Sequence, residues 1–448
     1  MPRELFGTDG IRGIPGQFPL DDHTLFWIGR SLGAYLRRQA PSSPRVLMGM
    51  DTRESGPHIA GQIAAGLRVE GAAPASAGII STPGVACLVR KQAFSAGVVI
   101  SASHNPYHDN GVKFFAGSGM KFPDESEEQL EVEILRHRDG EPIAASQPLV
   151  TDRKLDEEYL AFLSSCVLPG AKLAGLKIVL DCANGAASSL GPELFSSLGA
   201  SVTAIHNQPD GRNINAGCGS LHPESLSRKV IEQNAALGVA FDGDADRAMF
   251  VSSSGRVVDG DGVLLVLARY LRSTGRLKGE RIIGTTMANL GLERLLEAEG
   301  LTLARMPVGD RYVLEEMLRS KSNLGGEQSG HIIFLDDATT GDGLLTAVKI
   351  ASLVALRGSL DDLVRDLKVY PQTIINVNVR AKPPLEEIAE VSRALREANQ
   401  ALADSGRIVL RYSGTEPKAR VMVEAERAED VAHWAERIAA AVRSAVGA

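Results

Sequence analysis

Val46-Leu47-Met48-Gly49-Met50-Asp51 is an apolar run that stops on an acid, and it opens a unit the chain uses three times. The run reads as a buried strand. A polar loop and a helical stretch follow, then a helix-ending glycine at Gly71 and another apolar run. Ile178-Val179-Leu180-Asp181 opens the second copy, which passes through Asn184-Gly185 to Gly199. Ile282-Ile283-Gly284-Thr285 opens the third, through Asn289-Leu290-Gly291 to Gly300. Strand, loop, helix, strand is the unit from which α/β layers are built. Three well-separated copies predict three α/β domains of related topology.

The C-terminal part has a different order. Residues 373–379 alternate as a strand does, 385–402 have helical period, 407–411 and 419–424 read as strands, and 429–446 as a helix. A β-α-β-β-α order describes a small two-layer α+β domain. Polar stretches near Gln147–Arg153 and Lys368–Gln372 serve as linkers and, with a boundary near residue 254 that no such stretch marks, give expected domains at 1–150, 151–254, 255–368 and 369–448.

The chain has 448 residues, and single cores stop growing near ~250–300 residues, so several domains are expected. Hydrophobic content of 44% and charged content of 23% are those of an ordinary globular protein. A net charge of −7 argues against a nucleic-acid partner, which calls for a broad basic face. No apolar run is long enough to span a bilayer, so no membrane partner is expected. The opening residues lack the apolar centre of a signal peptide. Cys87, Cys166, Cys182 and Cys218 form no Cys-x-x-Cys pair, so the spacing indicates neither a zinc site nor a disulfide framework, and a reducing cytoplasm fits. A homodimer is left open as the assembly.

Four loops carry chemistry. Ser101-Ala102-Ser103-His104-Asn105-Pro106 follows the strand-like Gly97–Ile100, and Asn110-Gly111 reads as a hairpin turn beyond it. A serine on a loop at a strand end is a candidate nucleophile. Asp242-Gly243-Asp244-Ala245-Asp246-Arg247 follows the strand Leu237–Phe241. Carboxylates at i, i+2 and i+4 project to one side of an extended chain and can converge on a hard cation such as magnesium. An EF-hand loop is excluded, since Arg247 stands where its glycine belongs and Ser253 where its glutamate belongs. In Gly325-Gly326-Glu327-Gln328-Ser329-Gly330-His331, Glu327 and Ser329 offer an acceptor pair and a donor suited to sugar hydroxyls or an amine. In Arg411-Tyr412-Ser413-Gly414-Thr415-Glu416-Pro417, with Arg420 beyond, a guanidinium fork, two hydroxyls and an uncrowded backbone suit a phosphate. No Gly-Lys pair exists for a Walker A loop, and Ser118-x-x-Lys121 matches a penicillin-binding spacing without its companion motifs, so that match is read as chance.

These four loops, in this order, resemble the α-D-phosphohexomutase superfamily over essentially the whole chain. Phe6-Gly7-Thr8-Asp9-Gly10-Ile11-Arg12-Gly13, Gly326–His331, Thr339-Thr340-Gly341-Asp342-Gly343 and Ser413–Pro417 look like its phosphoglucosamine mutase branch. Lys418 departs from the pattern, which has an apolar residue there. The resemblance implies four domains around a central cleft. It implies that Ser103 is a phosphoserine and that Asp242, Asp244 and Asp246 hold Mg2+ together with an oxygen on Ser103. Glu327 and Ser329 would bind the sugar, and Arg411, Ser413, Gly414 and Thr415, with Arg420, the phosphate that is not reacting. Arg12, Lys113, Arg247 and His331 would line the reacting end beside His104 and Asn105, with Lys113 and His331 as the candidate general acid and base.

The implied reaction interconverts glucosamine 6-phosphate and glucosamine 1-phosphate through a sugar 1,6-bisphosphate, feeding UDP-N-acetylglucosamine synthesis. The nearest alternative is a phosphomannomutase or phosphoglucomutase of the same superfamily. An aspartate-nucleophile phosphatase using Asp244-x-Asp246 would make Ser103 unnecessary. A non-catalytic sugar-phosphate sensor would not need serine, acids and anchor together.

Overall fold

The computed structural model describes residues 4–7, 9–39, 43–138, 148–413 and 417–448. They form two compact units, one of residues 1–283 with 309–365, the other of 284–308 with 366–448.

In the larger unit, Arg45–Met50 pairs in parallel with Ala73–Ile79 on one side and Ala96–Ile100 on the other. Ala96–Ile100 then pairs antiparallel with Asn110–Ala116, which is extended by Gly10–Gly13 and Phe6–Gly7. The central strands Arg45–Met50 and Ala96–Ile100 are buried on both faces, which is why they read as continuous apolar runs. Val46, Met48, Val98 and Ile100 face one way, into a core with Ile28, Leu32, Ile59 and Ile63 of the helices Asp22–Gln39 and Gly56–Val69. On the other face, a Cβ at Gly97 would strike Val85 and Val89 of the helix Thr82–Lys91. The two helices of the first face meet at Gly29 and Gly66, where any Cβ would run into the carbonyl of Ile63 or Phe26.

The second sheet repeats the plan. Lys177–Asp181 pairs in parallel with Ser201–Ile205 and Leu237–Phe241, and the latter pairs antiparallel with Ala248–Ser252. The third does so again, with Ile283 of Arg281–Thr285 parallel to Gly325, and Leu324–Gly326 antiparallel to Ile332–Phe334. Gly71 and Gly199, the predicted helix-ending glycines, take φ of 74° and 82°, a conformation that costs other residues a Cβ clash.

One consequence positions the site. The Ser103, Asp242 and Glu327 loops occupy the same place in each repeat, joining the third strand to its antiparallel partner. The smaller unit's sheet has the order Gln372–Asn378, Lys418–Ala425, Gly406–Tyr412, all antiparallel, packed on the helices Ala389–Leu402 and Ala428–Val446.

One expectation fails. Asn110-Gly111 is not a turn: both residues lie inside a strand, with Asn110 opposite Gly13 and Gly111 opposite Arg12. Asn110 donates its amide to Ser55 Oγ and accepts from the Gly111 N–H, so its side chain is satisfied without a reversal. The chain turns earlier, over residues 103–108.

Candidate active site

Ser103, in the turn just past the strand Ala96–Ile100, has φ of +51°, a left-handed backbone that costs a non-glycine residue roughly 1–3 kcal/mol unless its surroundings over-determine it. They do. The Ser103 N–H donates to Ser101 Oγ at 2.9 Å, and Ser101 donates to Asp51 Oδ2 at 2.5 Å. The carbonyls of Ser103 and Asn105 each accept from Asn215 Nδ2, at 2.9 and 3.1 Å, and from Arg53 Nη2, at 3.3 and 2.5 Å. The Arg53 guanidinium is buried and ion-paired with Asp51. Ser103 Oγ, so held, donates to Asp242 Oδ2 at 2.6 Å and lies 3.3 Å from His104 Nδ1.

Asp242, Asp244 and Asp246 are all buried, and one oxygen of each lies within 4.8 Å of the others. Burial, then the charges of Asp246 and Asp244, push the Asp242 carboxyl well above its usual range. Lys113, itself buried, sits 3.0 Å from both Asp244 Oδ2 and Asp9 Oδ2. Burial opposes its charge, but Asp244, Asp9 and Asp246 outweigh that and raise its pKa, so the ammonium stays protonated. Thr82 donates to Asp244 Oδ2 at 2.5 Å, and the Arg247 N–H to Asp242 Oδ1 at 3.2 Å. Asp244 Oδ1 and Asp246 Oδ1 remain buried without a hydrogen bond. Buried oxygens are rarely left so, and an all-oxygen set suits a hard divalent cation.

A chain of ion pairs continues outward. Asp9 binds Arg12 at 3.0 Å, Lys113 at 3.0 Å and Lys121 at 2.6 Å, and Lys121 reaches Asp310 at 2.6 Å. Arg12 also donates to Asn105 Oδ1 at 3.2 Å. Lys121 thus belongs to this network, while Ser118 is exposed and accepts the Met120 N–H. His331 places Nδ1 3.5 Å from Asp246 and Nε2 3.5 Å from Asp310. Burial works against the imidazolium, and Asp246, Asp310 and Glu327 outweigh it to raise the pKa. The Gly341 N–H donates to Nε2 at 3.0 Å, so when the ring is neutral its proton sits on Nδ1, facing Asp246. His104 is the opposite case: burial, then Arg247 and Arg12, lower its pKa to about 4.

Glu327 is buried at the hairpin tip and accepts the Gly309 N–H at 3.2 Å, while Ser329 is exposed. The Gly330 carbonyl accepts the Ala248 N–H, which ties this hairpin to the acidic loop. The larger unit therefore gathers Ser103, His104, Asn105, Arg12, Lys113, the three aspartates, Arg247, Glu327 and His331. In the smaller unit Arg411 stands directly across from Arg420. Burial and then Arg420 lower the Arg411 pKa, a strain that a bound anion would relieve. Ser413 is buried, with its N–H on the Lys418 carbonyl at 2.8 Å. Gly414 and Thr415 lie outside the described residues.

Arg53, Asn215, Thr82, Asp9 and Asp310 escaped the sequence reading. Asp9 stood inside a quoted motif, and Asp51-x-Arg53 repeats the pattern of an acid closing a strand. Thr82 and Asn215 give no local signal.

Comparison with known proteins agrees with this geometry. Residues 3–140, 157–255, 259–370 and 374–441 match, in order, phosphoglucomutase/phosphomannomutase alpha/beta/alpha domains I, II and III and the C-terminal domain. The chain belongs to the phosphoglucomutase/phosphomannomutase family. It is 49% identical to the phosphoglucosamine mutase of Solibacter usitatus over 448 residues, all of both chains. It is 44% identical to that of Geobacillus kaustophilus, covering 99% of each. A phosphoglucomutase/phosphomannomutase family protein from Burkholderia thailandensis shares the fold with a TM-score of 0.81 at 25% identity, covering 98% of this chain and 97% of that one. An Aspergillus fumigatus N-acetylphosphoglucosamine mutase, solved with GlcNAc-6P and magnesium, shares the fold with a TM-score of 0.64 at 17% identity, covering 99% and 96%. Among the described residues no helix is long and apolar enough to cross a membrane.

Proposed function

We propose that this enzyme interconverts glucosamine 6-phosphate and glucosamine 1-phosphate in the cytoplasm, with Ser103 as the residue that carries the phosphoryl group. The observation that carries the reading is the Ser103 hydroxyl held 2.6 Å from Asp242, at the mouth of a buried acidic triad. The amino-sugar substrate is supported by relatives named phosphoglucosamine mutase at 41–49% identity, and a glucose or mannose phosphate is the less favoured alternative.

Asp242, Asp244 and Asp246, with an oxygen of phosphorylated Ser103, would hold Mg2+, and the two unpartnered buried oxygens fit that role. When bound, the cation neutralises charge building on the phosphoryl oxygens. The chain's residues do the rest. Arg53 and Asn215 fix Ser103 for in-line transfer. Lys113, its charge favoured by Asp244 and Asp9, neutralises rather than moves protons, and Arg12 and Arg247 add positive charge at the reacting end. His104, neutral beside Ser103 Oγ, and His331 are the groups able to exchange a proton. Glu327 and Ser329 bind sugar hydroxyls or the amine. Arg411, Ser413, Gly414, Thr415 and Arg420 hold the distal phosphate, so that a 1,6-bisphosphate intermediate can turn over. The four parts, divided near residues 150, 254 and 368, each supply one loop.

The test is a coupled assay across glucosamine, N-acetylglucosamine, glucose and mannose phosphates with Mg2+ and bisphosphate activator, beside peptide mass spectrometry of the resting enzyme. Phosphate on Ser103 and fastest turnover of glucosamine phosphates are expected. A label on an aspartate, or normal turnover in Ser103→Ala, ends the reading.

A further inference from the structure

The first two sheets each close their central strand on a buried acid, and the two acids are partnered differently. Asp51 and Asp181 both accept the amide two residues ahead, from Arg53 and Ala183, at 3.0 Å. In the first sheet the second oxygen of the acid is saturated by the Ser101 hydroxyl and the Arg53 guanidinium. In the second sheet no guanidinium is supplied. Asp181 Oδ2 accepts the Gly219 N–H at 3.0 Å and otherwise faces His206 Nδ1, also at 3.0 Å. The contact is short, but its direction is poor for a hydrogen bond from Nδ1. A ring nitrogen and a carboxylate oxygen thus stand close together, in an arrangement that a shared cation would satisfy. The thiol of Cys218, 1% exposed, is the third member, and the ligating atoms of all three residues lie within 4.8 Å of one another.

We propose that Asp181, His206 and Cys218 form a second cation site, structural in role and selective for a zinc-like divalent ion over magnesium. One oxygen, one imidazole nitrogen and one thiolate make a donor set that suits zinc, whereas magnesium takes oxygen alone. The three residues come from separate segments, a strand end, the next strand end and a loop, so no Cys-x-x-Cys spacing announces them. His206 is one-third exposed, which leaves an entry path and room for water as a fourth ligand. The ion would pin the segment carrying Asn215, whose amide holds the Ser103 and Asn105 carbonyls.

The experiment is Co2+ titration of the metal-stripped full-length protein in excess Mg2+, followed by absorption. One equivalent should produce a near-ultraviolet thiolate-to-cobalt charge-transfer band that Zn2+ abolishes. Cys218→Ser should lose the band with its circular dichroism unchanged. His206→Gln, at a partly exposed position, should weaken binding by about tenfold or more, since even a lost outer-shell partner typically costs 10–100-fold. Asp242→Asn should keep the band. Zn2+ should raise the melting temperature of the parent and not of Cys218→Ser. Absence of a thiolate band at several equivalents, or its persistence in Cys218→Ser, overturns the proposal.

Discussion

At the residue scale, the reactivity proposed for Ser103 rests on how its backbone is held. Its left-handed backbone is kept in place by a guanidinium that reaches three carbonyls and a carboxylate at once: Ser103, Asn105, Asp109 and Asp51. A planar fork can do this and an ammonium cannot. Arg53→Lys should therefore lower kcat by about 100-fold, the usual effect of a small misplacement of a reacting group, with KM little changed. Steady-state kinetics on the glucosamine phosphates reads this directly. Equal losses in substrate binding and turnover would show that Arg53 acts on the fold at large instead.

At the scale of elements, the three repeats put different chemistry on one hairpin connection. The strand before it is rigid and buried, so the loop's position is inherited from the sheet while its sequence is free to change. The helices covering the sheets carry stability features of their own. On the helix Lys154–Ser165, Asp156 has a buried, unpartnered oxygen, and burial followed by the charge of Glu193 raises its pKa to about 6. An acid whose folded pKa exceeds its unfolded one binds its proton more tightly when folded. Stability therefore falls as pH rises from about 4 to about 6, and the penalty is fully present above that. Asp156→Asn should relieve it, stabilising the protein at pH 7.5 by roughly 1 kcal/mol after allowance for partial exposure, with little effect at pH 4. Denaturant melts at the two pH values check the sign, and an equal effect at both would rule out a titration origin.

At the scale of the whole molecule, the residues proposed for chemistry and those proposed for anchoring fall in different units. Ser103, the acidic triad and Glu327 belong to the larger unit, and Arg411 and Arg420 to the smaller. Arg411→Ala should cost about 1.5–3 kcal/mol of substrate binding, a KM increase of roughly 10- to 150-fold, because a charge-assisted bidentate contact is lost. It should also release more bisphosphate into solution, since the turning intermediate loses its grip at one end. Free bisphosphate followed during turnover decides this. An unchanged KM with no extra release would place the distal phosphate elsewhere.

What the sequence determined by itself was local. Apolar runs ending at Asp51, Asp181 and Thr285 showed the repeated strands, and the period-two spacing of Asp242, Asp244 and Asp246 showed three acids able to converge. The strand signal follows from backbone periodicity, which acts over a few residues, whereas the three acids converge through a turn in which the Ala245 N–H donates to the Asp242 carbonyl and Ala245 takes a φ of +55°. The same local rule misread Asn110-Gly111, a favoured turn pair that tertiary pairing with Gly10–Gly13 drew into a strand. Only the folded chain could decide the partners. Thr82 meets Asp244 across 162 positions, Asn215 meets Ser103 across 112, and Lys121 meets Asp310 across 189. Contacts at such separations are set by which strand ends the sheets bring together, and no spacing along the chain records them. The same holds for Asp181, His206 and Cys218, three ordinary residues in the sequence that the second sheet places side by side.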